Sequence, residues 1–164
     1  MSDNTEDKKK WDFRDQLVVG SRGEELFLQH YHSPLVIYPE HRADFKRVSD
    51  GALVELKSDT YNIDKTPYFF MERWSDFHQK KPGGPWQSRE KRVDVFCYLF
   101  VRHNIYYEFN DLKVLTKELD KLTDKQGMVF VKNKGWVTAG FKVLREALKG
   151  LYTRYEFKNE VNKK

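Results

Sequence analysis

The sequence predicts a single α/β domain with a central mixed β-sheet flanked by helices, and three observations carry that expectation. Val93 to Val101 is the longest apolar run and is rich in β-branched and aromatic residues, the mark of a buried strand. Two extended segments, 43–48 and 53–58, are separated by Ser49-Asp50-Gly51-Ala52, and Asp-Gly is a favoured central pair of a two-residue hairpin turn. Leu112, Leu115, Leu119 and Leu122 recur at helical spacing behind Asn110 or Asp111, either of which can cap a helix. A chain of 164 residues holds one hydrophobic core and is short for two.

In chain order, residues 1–10 mix acids with Lys8-Lys9-Lys10 and have no apolar residue beyond Met1, so they read as a disordered tail. The domain is expected over 11–157, with a basic tail over 158–164. A helix starts at Ser21, its serine capping and Glu24 and Glu25 in the first turns, with Leu26, Phe27, His30 and Tyr31 toward the core. Pro34 ends it, and Leu35-Val36-Ile37-Tyr38 follows as a buried strand. After the hairpin, Pro67 to Trp74 carries large apolar residues on both faces and reads as an inner strand, with Glu72 and Arg73 at its end read as a structural pair in preference to a catalytic one. Ile105 to Phe109 is the hairpin partner of the long apolar strand, which makes Cys97 a core residue. Met128 to Val131 reads as a short strand, and Phe141 to Leu151 as an amphipathic helix led in by Thr138.

Composition excludes several functions. Cys97 is the only cysteine, so there is no internal disulfide and no multi-cysteine zinc site, which fits a reducing compartment. The histidines, at 30, 32, 41, 78 and 103, form no HExxH or HNH pattern, and His30-x-His32 reads as surface or core edge rather than as a metal pair. A Walker A loop, a dinucleotide fingerprint and a Gly-x-Ser-x-Gly elbow are all missing. No apolar run approaches the roughly 20 residues that cross a bilayer, and the start lacks a secretory apolar stretch, so a cytoplasmic protein with no membrane partner is expected. The net charge of +5 suits a polyanion only if it is concentrated. It is: from Lys80 to Arg102 six bases face two acids, a net +4, and from Lys142 onward seven bases face three acids, again +4, which suggests a phosphate-contacting edge.

The hairpin holds the most informative residues. With Asp50 and Gly51 as the central pair, opposed residue numbers sum to 101, so Lys46 faces Glu55 and Asp44 faces Lys57. Alternation then places Asp44, Lys46, Glu55 and Lys57 on one face, and Phe45, Arg47, Val54 and Leu56 on the other, which packs inward. Two carboxylates and two ammonium groups converge. One reading is a ladder of cross-strand salt bridges on a solvated face. The other is a hard-metal site, because Mg²⁺ takes one or two protein carboxylates with waters and substrate phosphate, and a neighbouring ammonium can stabilise charge developing on that phosphate. In that reading Asp44 and Glu55 supply oxygens, Lys57 is the ammonium, and Lys46 pairs with Glu55 or contacts a phosphate.

Asp44 followed after ten residues by Glu55-Leu56-Lys57, inside the strand Leu53-Val54-Glu55-Leu56-Lys57-Ser58, resembles the D…ExK signature of the PD-(D/E)XK nuclease superfamily. Upstream, Gly20-Ser21-Arg22-Gly23-Glu24 is similar to the helix-borne glutamate that many members, including small phage and archaeal resolvase-like endonucleases, place before the signature. The order helix, strand, hairpin agrees, and the family's proline is replaced by Ala43. Two other Glu-x-Lys triplets, Glu6-Asp7-Lys8 and Glu156-Phe157-Lys158, lie near the termini, whereas the middle one sits in an apolar strand with a hairpin-paired Asp.

The resemblance implies a restriction-endonuclease-like core and a metal-dependent DNA endonuclease. Asp44 and Glu55 would hold Mg²⁺, or Mn²⁺ in its place, with the Leu56 carbonyl as a further ligand, Lys57 positioning or polarising water, and Glu24 reaching in from the first helix. Glu25 lies about 100° further round that helix, so the choice of Glu24 rests on the resemblance. DNA is the expected partner, with RNA open, in a bacterial or phage-infected cell, and a two-fold dimer would suit cutting both strands of a symmetric substrate. The stretch Gln79 to Arg89 reads either as a turn-rich loop packed down by Trp86 or as a substrate loop in which Lys80, Lys81 and Arg89 meet phosphate, Trp86 stacks on a base and Gln87 assists. The alternative from another class is a catalytically inactive nuclease-fold protein that binds nucleic acid without cutting it.

Overall fold

The computed structural model describes residues 22–158. The tail expected over 1–10, the capping Ser21 and all but the first residue of the expected tail 158–164 lie outside the described residues. Helix α1 covers 22–30. It is followed by β1 (Leu35–Ile37), β2 (Phe45–Arg47), β3 (Leu53–Asp59), β4 (Tyr68–Asp76), β5 (Lys81–Pro82), α2 (Gly84–Glu90), β6 (Val95–Phe100), β7 (Ile105–Phe109), α3 (Leu112–Thr123), β8 (Val129–Lys132), β9 (Val137–Leu144), a 3₁₀ turn at Arg145–Leu148 and β10 (Tyr152–Glu156). No helix among the described residues is long and apolar enough to cross a membrane.

The strands form a six-stranded sheet in the order β1-β2-β3-β6-β7-β10 and a four-stranded sheet in the order β5-β4-β9-β8. The first is mixed, as expected: β3 and β6 are parallel, and every other pair in it is antiparallel. A parallel pair needs a long crossover. Here that crossover contains β4, β5 and α2, so the second sheet is partly built from the connection between the two central strands of the first. Every residue of β6 and β7 is buried, which explains their near-continuous apolar composition.

Both faces of the first sheet are covered. On one, Phe27 and Tyr31 of the α1 segment pack on Phe45, Val54, Cys97 and Tyr106. On the other, Leu53, Phe96, Tyr98, Phe100 and Phe109 meet Phe69 and Met71 of β4, Phe141 and Val143 of β9, and Leu112, Leu115 and Leu119 of α3. The expectation that only the Phe45/Val54 face of the hairpin packs inward is therefore corrected: Leu53, on the Glu55 side, is also buried. Asp111 is the cap of α3, its Oδ1 accepting the Val114 N–H at 3.0 Å. Leu122 is left exposed.

The helix expected over Phe141 to Leu151 is not formed. Residues 137–144 are strand β9, only Arg145–Leu148 turn helically, and β10 then closes the first sheet on β7. Val137, Thr138 and Val143 are β-branched, and Phe141 and Val143 are buried while Lys142 and Leu144 are exposed, a period of two that a helix cannot satisfy. Nor does Arg145 serve a phosphate-contacting edge. Its guanidinium points inward and donates to the carbonyls of Ile63, Thr66 and Tyr68.

Candidate active site

The hairpin is present, but its register differs from the expected one. Phe45 pairs with Val54 and Lys46 with Leu53, while Arg47 N–H donates to Ala52 O at 2.8 Å, so the loop is the four residues 48–51. Asp50 causes this. Its carboxylate takes both Arg47 Nε and Nη2, at 2.9 and 2.7 Å, and the Ala52 N–H at 3.1 Å, while Gly51 adopts φ +75°, so Asp-Gly ends the turn instead of forming its centre. The guanidinium holds the Asp50 carboxyl below the usual carboxylate range. Each strand slips by one residue in opposite senses, so the faces are unchanged but the partners are not. Asp44 comes level with Glu55 rather than Lys57, and Lys46 leaves Glu55 to extend past Gly51.

This register brings two carboxyl groups together. Asp44 Oδ2 accepts the Leu56 N–H at 2.8 Å, which ties the acid to the strand bearing Glu55 and Lys57. Burial, a hydrogen bond with Asp44 and the charge of Asp44 all raise the Glu55 pKa, Lys91 opposes them, and Glu24 adds to them. Glu24 is itself raised, by burial and then by Asp44. Glu24, Asp44 and Glu55 therefore feel one another. The helix reaches this point because Gly23 has no side chain: a Cβ there would stand 2.9 Å from Ser58 Cβ on β3, closer than such atoms come.

Beside the acids opens a cleft of about 950 Å³, whose lining includes Glu24, Leu56, Lys57, Tyr68, Phe70, Glu72 and Lys142. Asp44 and Glu55 stand next to Glu24 outside that lining. Lys57 faces Glu72: burial raises the Glu72 carboxyl, and the Lys57 ammonium and a hydrogen bond from the Gly84 backbone pull it back down. Glu72 is not paired with Arg73, as the sequence suggested. The ladder between β4 and β9 shifts register between Glu72 and Trp74, and the Arg73 guanidinium lies 4.0 Å from the Trp74 ring centroid and 5.1 Å from that of Trp86.

Two glycines cradle Glu72. A Cβ on Gly83 would stand 2.8 Å from Glu72 Cδ, and Gly84, at φ +50°, would bring one within 2.7 Å of the Glu72 carbonyl oxygen. Gly83→Ala is expected to cost about 1–3 kcal/mol through overpacking and to displace Glu72 from Lys57. Urea denaturation reads the first effect, and a wild-type midpoint would remove the cradle.

No family model, no curated protein and no solved structure matches this chain. The site rests on its own geometry.

The stretch proposed as a substrate loop is mostly otherwise engaged. Trp86 is 7% exposed and its Nε1–H donates to Asp120 at 3.0 Å, so it joins α2 to α3 and has no free face for a base. Gln87 is half-buried in α2, and Arg89 Nη1 donates to Thr116 Oγ1 at 3.0 Å. Lys80, 3.7 Å from the Phe77 ring centroid, and Lys81 are exposed on the second sheet. None of these five, nor Lys46, lines the cleft. The cations that do attend the site are Lys57, Lys65 and Lys142 in the cleft lining and Lys91 beside Glu55. The sequence shows Lys91 only as one of a basic run, and it offers Lys142 as the start of a basic edge but on a helix, where the structure has strand β9.

The donor set suits a hard divalent cation. Two oxygen acids held against each other need either a shared proton or a cation, and Mg²⁺ asks the protein for only one or two carboxylates. Among the described residues no three His, Cys, Asp or Glu side chains form a ready-made cage, so the fit is to an ion carried by the Asp44–Glu55 pair.

Proposed function

We propose that this chain is a metal-dependent DNA endonuclease of the PD-(D/E)XK type, working where Glu24, Asp44, Glu55 and Lys57 meet the cleft. The observation that carries the reading is the mutual approach of Asp44, just before β2, and Glu55 on the neighbouring β3, with the next residue on that face of β3, Lys57, in the cleft lining.

Asp44 and Glu55, with the Leu56 carbonyl, would hold Mg²⁺ or Mn²⁺. When bound, such an ion makes water easier to deprotonate and offsets charge on the attacked phosphate. Lys57 donates to a phosphate oxygen or to the attacking water, and Glu72 steadies the ammonium from the opposite wall. Glu24, at the cleft lining, accepts a hydrogen bond from that water and orients it. Lys91, beside Glu55, adds positive charge where a phosphate would arrive.

The test is cleavage of labelled single-stranded, duplex and branched DNA in Mg²⁺, in Mn²⁺ and in EDTA by wild type and Lys57→Ala. The expected result is metal-dependent cutting that falls on the order of 10²-fold or more in the variant, a loss larger than any weakening of DNA binding in EDTA. Unchanged rates in the variant would remove Lys57 from the site. Binding without cutting in either metal would make the chain an inactive nuclease-fold binding protein.

A further inference from the structure

The wall of the cleft opposite β3 repeats a pattern. Strand alternation puts Tyr68, Phe70 and Glu72 of β4 on the cleft side, and pairing with β9 sets Lys142 directly across from Phe70. Residues two apart on a strand are separated by roughly 7 Å. Starting from Glu72, beside the Lys57 ammonium, the wall therefore offers one aromatic ring with a lysine next to it and, one step further, a second ring. Gly140 makes room for the first: a Cβ there would fall 2.7 Å from Phe70 Cζ, so the ring rests against β9 and leaves the cleft open.

A second part of the cleft lining repeats the combination. The loop that leaves β3 carries Tyr61, 52% exposed, and Lys65, also exposed, and both line the cleft. Asp59 fixes where this loop departs, accepting the Tyr61 N–H at 3.0 Å and hydrogen-bonding the buried Tyr98 hydroxyl. Two parts of the cleft lining, Phe70 with Lys142 on the sheet and Tyr61 with Lys65 on the loop after β3, thus combine aromatic surface with an ammonium.

We infer that the cleft seats an unpaired nucleotide strand, running from the Lys57 end past Phe70 and Tyr68, with bases on the rings and phosphates at Lys142 and Lys65. A duplex presents its phosphates outward and keeps its base faces stacked inside, so it could engage the lysines but would leave the rings without partners. An unpaired strand offers a π-face for every base and a phosphate for every lysine, the combination that single-strand binders use. The inference rests on the nuclease reading for the meaning of the cleft's charged end, while its own evidence is the cleft walls.

Fluorescence anisotropy of the full chain in EDTA tests it, with labelled single-stranded DNA, duplex DNA and single-stranded RNA of equal length at one fixed salt concentration. The expected result is single-stranded DNA bound at least about tenfold more tightly than duplex, with Phe70→Leu and Tyr61→Ala each weakening the single strand about tenfold and the duplex little. Tyr61 is exposed, so its variant reports on binding even if Phe70→Leu lowers stability. Lys142→Ala is expected to weaken binding and to reduce its salt dependence. RNA bound as tightly as DNA supports the strand site and extends it to both sugars. Equal affinity for duplex and single strand, or no effect of either aromatic variant, overturns it. The two readings fail separately. Single-strand preference in EDTA without cutting in Mg²⁺ or Mn²⁺ keeps the strand site and removes the nuclease, whereas metal-dependent cutting with no preference in binding does the reverse.

Discussion

Glu55→Gln is expected to abolish the proposed magnesium-dependent cleavage, on the order of 10³-fold or more, and in the same step to make the metal-free protein less sensitive to rising pH. The two effects share one cause. Burial and the adjoining Asp44 carboxyl raise the Glu55 pKa in the folded chain above its ordinary value. In that case the folded state holds a proton that the unfolded state has released, so the stabilising contribution is complete below the unfolded pKa, about 4.3, and is lost as pH rises through the folded value. Glutamine keeps the hydrogen bond and cannot ionise, so its melting temperature should fall less than that of wild type across this window. Magnesium, bound as proposed, would act in the opposite direction. It would require the ionised pair and release the proton on binding, so the stabilisation it gives wild type should grow with pH and be largely lost in the variant. Thermal melts of both proteins between pH 5 and pH 9, with EDTA and with Mg²⁺, read all of this. Parallel pH profiles in the two proteins would mean that Glu55 is not the strained member of the pair, and a variant that still cuts would end its role as a ligand.

Glu108→Ala should destabilise the fold by about 3–5 kcal/mol, the usual cost of leaving buried polar and charged partners without their counterpart. Glu108 lies on β7 with its side chain 3% exposed. Its carboxylate takes the Tyr31 hydroxyl, contacts His32 Nε2 at 3.0 and 3.1 Å, and stands 4.0 Å from Arg47 Nη1, with Cys97 Sγ at 3.9 Å. Tyr31 and His32 directly follow α1, Arg47 belongs to the hairpin, and Cys97 lies on β6. One carboxylate thus joins the chain that leaves the helix carrying Glu24 to the sheet that carries Glu55 and Lys57 and to the hairpin carrying Asp44. Burial and the bond to Glu108 together push the Tyr31 phenol up, as expected for a hydroxyl that serves as a donor. Chemical denaturation measures the loss. A change below about 1 kcal/mol would show that the cluster is not a tie, and Tyr31→Phe combined with Glu108→Ala should add less than the sum of the two.

The histidines illustrate how far composition can be read. Two of them meet distant aromatic rings: the His30 ring stacks on Phe157 at 4.5 Å, and the His32 ring stacks on Tyr155 at 4.7 Å while its Nε2 meets Glu108. What the sequence could not give was the partner of either ring, because Tyr155 and Phe157 lie more than a hundred residues away along the chain.

Local patterns determined a large part of this protein. The apolar run over β6, the alternation in β4, the leucine spacing of α3 with its aspartate cap, and a hairpin holding Asp44, Glu55 and Lys57 on one face all follow from side-chain periodicity and turn chemistry within short windows. Those are properties a segment has on its own. The tertiary structure decided the rest. The hairpin register turned on the Asp50 carboxylate choosing the Arg47 guanidinium, which exchanged Lys57 for Glu55 as the neighbour of Asp44. Residues 141–144 became strand because β4 offered a pairing edge, Trp86 was committed to Asp120, and Glu72 turned toward Lys57 because two glycines across the crossover made room for it. Each outcome depends on groups far apart in the chain meeting in space, where backbone pairing, burial and charge compete, and no single window of sequence contains both sides of that competition.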